Sequence, residues 1–440
     1  MDMSKKLLLF LIVLVLPMVS VAGVSNSQQD NIVVSKYENE ATQAIVAKIP
    51  LPTDLSTKVK QIYLSAQIER KKGNYKEAIR LFRKVLDERP DFVRARFELA
   101  LCYGANDRWY RADYYLRLAM AAENLPEDVK KLMESYRYLV RKNKNWDFWF
   151  DYGDVPATRS SLSNNNGNGC SGDHNDSTCE HMTESKDKTG LYFAAGADYE
   201  FKLSDNWRWK SDAAFGTNIY LKDKNNDDLV LTGSTGPRYV WDRGDIWVAG
   251  VASRAWYGQQ KLGWSYGAKI DTNYDLTRKL TSGLILMIAD NKYDEYDMLN
   301  GQTYSAAPHF TYYIDSTKYL VLRGELDRQT TKVEALSNYE YGFGIGFGME
   351  LPYAFLIYLE PYFAWIDYDG ERAVAINNND DIHVKERDSY QKYTVSVSNS
   401  KIELLGFIPV INVSYTNKES NIFVPKYDKW SFGISIKRKF

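Results

Sequence analysis

The sequence predicts an outer-membrane antiparallel β-barrel of 14 strands, preceded by a small α-helical periplasmic domain. Three observations predict it. From Trp146 onward, apolar and polar residues alternate in 14 runs of about 9 to 15 residues. The links between those runs alternate long and short. Aromatic residues make up 14% of the 440-residue chain, dominated by 33 Tyr, which suits rings placed at the two membrane interfaces. A mean hydropathy of −0.45 looks soluble, but barrel strands never become continuously apolar because lipid-facing and lumen-facing residues alternate. With a net charge of −1 and no basic face, nucleic acid is excluded as a partner.

Residues 1–22 read as a secretory signal peptide: Lys5 and Lys6 precede the apolar run Leu7 to Leu16, and Ser20-Val21-Ala22 forms a small-residue cleavage site. That apolar run is well short of the ~20 residues a spanning helix needs. Residues 23–54 are polar and patternless, and are expected to form a flexible tail. Over residues 55–142 the period becomes helical, and the segment aligns with itself at a shift of 34, with Ala66 opposite Ala100, Tyr75 opposite Trp109 and Ala78 opposite Ala112. The stretch GNYKEAIRLFRKVLDERPD resembles a tetratricopeptide (TPR) helix pair. Ala78 and Ala112 let two helices approach closely, Tyr75 and Phe82 fill the groove, and Pro90 ends the second helix. The second copy is looser, with Asp107 where the first has the turn glycine Gly73. A helix over 127–141 would cap the stack. The competing reading is a generic bundle of helical hairpins.

Three cysteines sit in an exported, oxidising context. Cys170 and Cys179 lie in the polar first long link and are paired as a loop disulfide. The alternative is a metal held by Cys170, His174, Cys179 and His181, although the spacing matches no standard zinc pattern. Cys102 falls on an apolar helix face and reads as a small buried hydrophobe.

The barrel is assigned to residues 146–440. Alternation is cleanest at Tyr339 to Glu350, where Gly342, Gly344, Gly346 and Gly348 share the lumen face with Glu340. This stripe either accommodates a moving polypeptide or inward-folded segment, or allows the wall to curve. Lumen charges are expected at Asp198, Glu200, Arg208, Lys210, Asp212, Arg323, Glu325 and Asp327, either bracing neighbouring strands or lining a polar conduit. Leu284 to Ile288 is apolar on both faces, and Pro361 requires a bulge or an edge. Short links fall near Asp205, Arg243, Leu276, Ser316, Pro352 and Ser400; long ones fall at 155–188, 218–227, 291–300, 329–337, 369–388 and 416–427, with a shorter one at 257–261. Tight turns belong at the periplasmic rim and long loops outside, which puts the helices and Phe440 in the periplasm. The ending WSFGISIKRKF resembles the terminal signal read by the outer-membrane barrel assembly machinery.

Enzymatic chemistry is not supported. His309 on a lumen register could serve a Ser-His hydrolase, but no nucleophile motif accompanies it and a polar lumen residue is the simpler reading. No phosphate loop or metal-ligand run is present, and no cofactor is expected.

A TPR domain joined to a 14-stranded barrel resembles the surface lipoprotein assembly modulators, often called Slam, over residues 55–440. The closing stretch is most specific, at Pro409, Tyr415, Ser420, Asn421, Tyr427, Gly433 and Phe440. The resemblance implies an outer-membrane translocon that delivers lipoproteins, or related soluble proteins, to the cell surface. The cargo would include metal- and haem-acquisition proteins and host-association factors. The partners implied are a protein substrate encoded nearby, the barrel assembly machinery and the lipid bilayer, with the chain itself a monomer. Acyl chains gain about 0.8 kcal/mol per buried CH₂, so lipidated cargo calls for a lateral opening. That seam is expected where the strand starting at Trp146 meets the last strand, with Trp430, Phe432 and Phe440. The alternatives are a polysaccharide exporter, which also joins TPR repeats to a barrel, and a plain channel or adhesin.

Overall fold

The computed structural model describes residues 39–154, 190–221, 224–258, 260–377, 380–402, 407–422 and 427–437. The signal peptide, the pair Cys170 and Cys179 with their neighbouring histidines, and Phe440 lie outside the described residues.

Among the described residues six helices come first: α1 (Glu40–Ala47), α2 (Thr57–Lys71), α3 (Tyr75–Glu88), α4 (Val93–Ala105), α5 (Trp109–Met120) and α6 (Glu127–Lys142). Ser56 caps α2 by accepting the Val59 N–H at 3.2 Å. The self-alignment marks real packing. Ala66, Ala78, Ala100 and Ala112 are all completely buried, as is Phe82, and Trp109 is nearly so. Both hairpin turns need a left-handed residue, met by Gly73 (φ 78°) in the first and by Asp107 (φ 56°) in the second. Aspartate tolerates that region better than most side chains, so the second turn keeps its shape without glycine.

Residues 39–54, expected to be part of a flexible tail, belong to the helical domain. Asn39 caps α1 by accepting the Thr42 N–H at 2.8 Å, and Val46 and Ile49 are buried in the helical core. Lys48 pairs with Asp128 of α6, so residues 39–54 fold back onto the domain. An eight-residue helix is too short to show a convincing period in sequence.

The strands are β1 (Trp146–Asp154), β2 (Gly190–Lys202), β3 (Trp207–Tyr220), β4 (Asp228–Trp241), β5 (Gly244–Tyr257), β6 (Gln260–Asp275) and β7 (Leu280–Tyr293). They continue with β8 (Gly301–Tyr313), β9 (Lys318–Gln329), β10 (Asn338–Glu350), β11 (Phe355–Asn377), β12 (Asp380–Asn399), β13 (Ile408–Ser420) and β14 (Tyr427–Lys437). Each pairs antiparallel with its neighbours in sequence, and β1 pairs with β14 to close the barrel. Among the described residues no helix is long and apolar enough to cross a membrane. The outward face of the barrel carries the exposed apolar side chains instead, among them Trp209, Leu322, Leu326, Phe343, Ile411, Trp430 and Phe432, as a lipid-facing surface requires.

One expected long link is not a loop. Residues 369–377 continue β11 and residues 380–388 belong to β12, with Glu371 opposite Lys385 and Val374 opposite Ile382, past a register shift after Asp367. The acidic, Asn-rich centre of that segment reads as a turn, but its β-branched flanks carry the pairing outward.

Candidate functional site: a helical domain seated in the barrel mouth

At one rim the strands are joined by the short turns, and the helical domain sits against that rim. The seat is built by α5 and α6. Tyr110 Oη donates to Asp198 on β2 at 3.3 Å. One turn later, Tyr114 Oη donates to Glu350, the last residue of β10, at 2.7 Å. Around the ring β2 and β10 stand six strands apart in one direction and eight in the other, so these are nearly opposite walls. Helix α5 therefore lies across the mouth. Asp198 is four residues, about 13 Å, in from the end of β2, which places part of the contact inside the lumen. A further turn along, Leu118 and Ala121 pack against Tyr313 and Tyr319, with Tyr358 beside them.

Helix α6 holds the other side. Arg137 and Arg141 both reach Asp275, at 2.6 and 2.5 Å. Arg141 also donates to the Asp242 carbonyl at 2.7 Å, and Tyr138 donates to Asn206 at 3.0 Å. From α4, the buried Arg96 meets Glu350 at 2.6 Å and Lys401 of the β12–β13 turn meets Asp87 at 3.0 Å. Behind these contacts, Asp113 accepts from Lys144 at 2.7 Å and from Arg117 at 2.9 Å. Burial pushes the Asp113 carboxyl up, but Arg117, Lys144 and Arg137 together hold it well below the usual carboxylate range. Arg137 is lowered to about 10 by burial and by Arg117 beside it, and stays a cation at neutral pH.

Most lumen charges read from the sequence find partners across strands. Glu200 takes Arg238 at 2.6 Å and Lys210 at 3.7 Å. Arg208 donates to the Lys142 carbonyl at 3.2 Å, tying β3 to the end of α6. Asp212 on β3 meets Lys269 on β6 at 2.9 Å, with Lys210 and Lys269 over the Trp247 ring. Arg323 pairs with Glu360, Glu325 accepts from Tyr362 at 2.6 Å, and Asp327 accepts from Ser305. Glu340 is half-buried on the same face. The geometry favours bracing of the wall at these positions.

The glycine stripe is not an open lane. A side chain at Gly342, Gly346 or Gly348 would collide with Tyr362, Tyr358 or Tyr319 respectively, and one at Gly344 would press on Glu360 and Tyr362. The neighbouring strands lay their rings over the strip, an arrangement in which an aromatic side chain shields glycine backbone. His309 does the same over Gly283. Tyr319, Tyr358 and Tyr362 lie over the glycine strip, and Tyr313 and Tyr319 pack against Leu118 and Ala121 of the helical domain, so these rings face inward and not to the membrane interfaces.

The first and last strands meet where the seam is expected. Among the described residues, β1 and β14 pair over Trp149–Gly153 against Gly433–Lys437. On its β2 side, Trp146 pairs with Tyr199. Trp430 and Phe432 pair with Tyr415 and Val413 of β13, although the Phe432 N–H reaches the Asp154 carboxylate at 3.3 Å.

Sequence reasoning missed the seat residues Arg96, Arg137, Arg141, Asp275 and Glu350. A usable signal existed: the apolar residues of α4 (VRARFELALCYGA) and α5 (WYRADYYLRLAM) are spread round the helix and not gathered on one face, as in a helix covered on all sides.

These features define a class: a membrane-spanning antiparallel β-barrel with a helical repeat domain lodged in one mouth. The chain belongs to the surface lipoprotein assembly modifier family, whose model matches residues 155–440. A tetratricopeptide repeat model matches residues 69–136. The surface lipoprotein assembly modifier of Pasteurella multocida is 22% identical over 402 residues, covering 86% of this chain and 76% of the relative. Surface lipoprotein assembly modifier 1 of Haemophilus influenzae is 19% identical over 380 residues, covering 84% and 76%. Among solved structures, the CymD monoaromatic hydrocarbon channel aligns at a TM-score of 0.38 and 9% identity, covering 73% of this chain and 94% of that one. A bacterial polysaccharide outer membrane secretin aligns at 0.37 and 10% identity, covering 68% and 99%.

Proposed function

We propose that the chain is an outer-membrane translocon that moves specific lipoproteins, or related secreted proteins, to the cell surface, and that its helical domain is the cap of the lumen. The observation that carries this reading is α5 lying across the mouth, bonded to nearly opposite walls through Tyr110 and Tyr114. A cap held by reversible polar contacts closes the lumen at rest and must shift before cargo passes. The short turns lie on the helix-bearing rim, which supports a periplasmic helical domain with the longer links outside. Insertion by the barrel assembly machinery and action as a monomer belong to the same proposal, as does an assembly and transport role in place of catalysis.

Acyl chains disfavour a polar lumen, so lipidated cargo leaves sideways through the seam between β1 and β14, where Gly153 faces Gly433. The test co-expresses the chain with a lipoprotein encoded beside it and shaves intact cells with protease. Cargo exposure that requires the chain supports the translocon, and exposure that is the same without it removes this reading. Crosslinking cysteines at Asp151 and Ser435, which pair across the seam, is expected to block lipidated cargo but to spare an unlipidated variant. Normal display of lipidated cargo through a closed seam would exclude the lateral route.

A further inference from the structure

We propose that a basic cleft on α3, beside the barrel rim, docks an extended acidic segment of the transported polypeptide; this rests on the translocon reading. The cleft measures about 480 Å³ and is lined by Lys76, Arg80, Arg83 and Lys84 of α3, Arg108 at the start of α5 and Lys401 of the β12–β13 turn. Its lining holds one carboxylate, Asp87, which is engaged by Lys401 at 3.0 Å. Glu77 on the same helix is engaged by Arg80. The whole chain carries 56 basic and 57 acidic residues, so a lining of six cations to one carboxylate is a local concentration and not a reflection of composition. Such a patch steers anionic partners and raises their encounter rate.

The spacing selects the kind of anion. Lys76, Arg80 and Lys84 recur every four residues on one side of α3, a rise of about 6 Å per step. In an extended chain, side chains on one face recur about 6.6 Å apart. A strand with carboxylates at alternate positions therefore meets the three cations nearly in register over about 12 Å. The row also has a direction. The C-terminal end of α3 abuts the barrel, where Leu86, Asp87 and Pro90 adjoin Leu351 and Ala354 of the β10–β11 turn, so Lys76 marks the end remote from the rim. A lipid headgroup at the bilayer edge would reach only the Lys401 end, whereas a polypeptide uses the whole row. The row leads cargo toward a turn three strands from the seam.

The test uses the full chain in nanodiscs of uncharged lipid, titrated with a fluorescent ten-residue peptide alternating Glu and Ser, and with its Gln-Ser counterpart. The expected result is saturable binding of the Glu peptide alone, weakening with salt. The triple substitution Lys76→Glu, Arg80→Glu, Lys84→Glu should lower affinity at least about ten-fold, since each exposed ion pair contributes modestly. All three side chains are exposed, so barrel abundance and heat-modifiable migration should match wild type. In cells where deleting the chain abolishes cargo display, the triple variant should lose display. Equal peptide binding by the triple variant overturns the proposal, as does wild-type display by that variant. Binding confined to phosphatidylglycerol vesicles overturns it too, in favour of a lipid headgroup. If deleting the chain leaves display intact, the translocon reading fails, and the peptide titration still judges the cleft.

Discussion

The two sides of the seat are built from different chemistry. Along β4 to β7 the contact is ionic, with Arg137 and Arg141 on Asp275 and Arg141 near Asp245 at 3.6 Å. Along β8 to β11 it is largely apolar, with Leu118 and Ala121 against Tyr313, Tyr319 and Tyr358. Separating an ion pair returns both partners to water, and their recovered hydration offsets most of the lost attraction. Separating the apolar side exposes surface at about 25 cal/mol per Å² with no such offset. The difference teaches which side moves: the cap is expected to lift first along β4 to β7 and to pivot on the aromatic side.

The Arg96–Glu350 pair marks the pivot and carries the largest expected effect. Glu350→Ala leaves Arg96 buried without its carboxylate, and should cost about 3 to 5 kcal/mol, read as lost hydrogen-exchange protection in α4 and α5. Protection equal to wild type would remove the pivot. Leu118→Ala should cost about 3 kcal/mol, by the same amount in low and high salt. If its effect instead shrinks with salt, the apolar assignment is wrong. Arg141→Ala should raise channel conductance in planar bilayers, with the contrast to wild type narrowing above about 0.5 M salt as screening weakens the remaining exposed pairs.

Asp113 gives a pH dependence with a definite sign. Its folded pKa is depressed, so its contribution is complete above the unfolded value, about 3.9. That contribution is lost as pH falls below that value toward the folded one. Asp113→Asn should therefore destabilise the seat by about 2 kcal/mol at neutral pH and flatten the acid limb of the unfolding curve. An unchanged acid limb would contradict the assignment. The smallest effect is expected at the second hairpin turn. Asp107→Gly should stabilise the helices by about 0.5 to 1 kcal/mol, because glycine takes the left-handed φ more readily.

Much of the barrel was legible because its signals are local. Alternation at Tyr339 to Glu350 fixes faces residue by residue, and the short links mark one rim. The helical repeat was legible for the same reason, through Ala78 and Ala112. What the sequence hid depends on distant partners. Arg96, Arg137 and Arg141 look like solvated cations on helices, and become buried only because Glu350 and Asp275 arrive from strand ends far along the chain. The glycine stripe was visible, but the tyrosines that fill it come from β9 and β11. Residues 369–388 misled because composition at the centre of a hairpin resembles a loop.

The central claim is that the helical domain closes the lumen and must move. Cysteines at Tyr138 and Asn206, whose side chains meet at 3.0 Å, can be bridged by a short bismaleimide in cells expressing the chain and its cargo. The account predicts that bridging abolishes surface display, while each single-cysteine chain treated alike displays normally. Undiminished display with the bridge complete would contradict it.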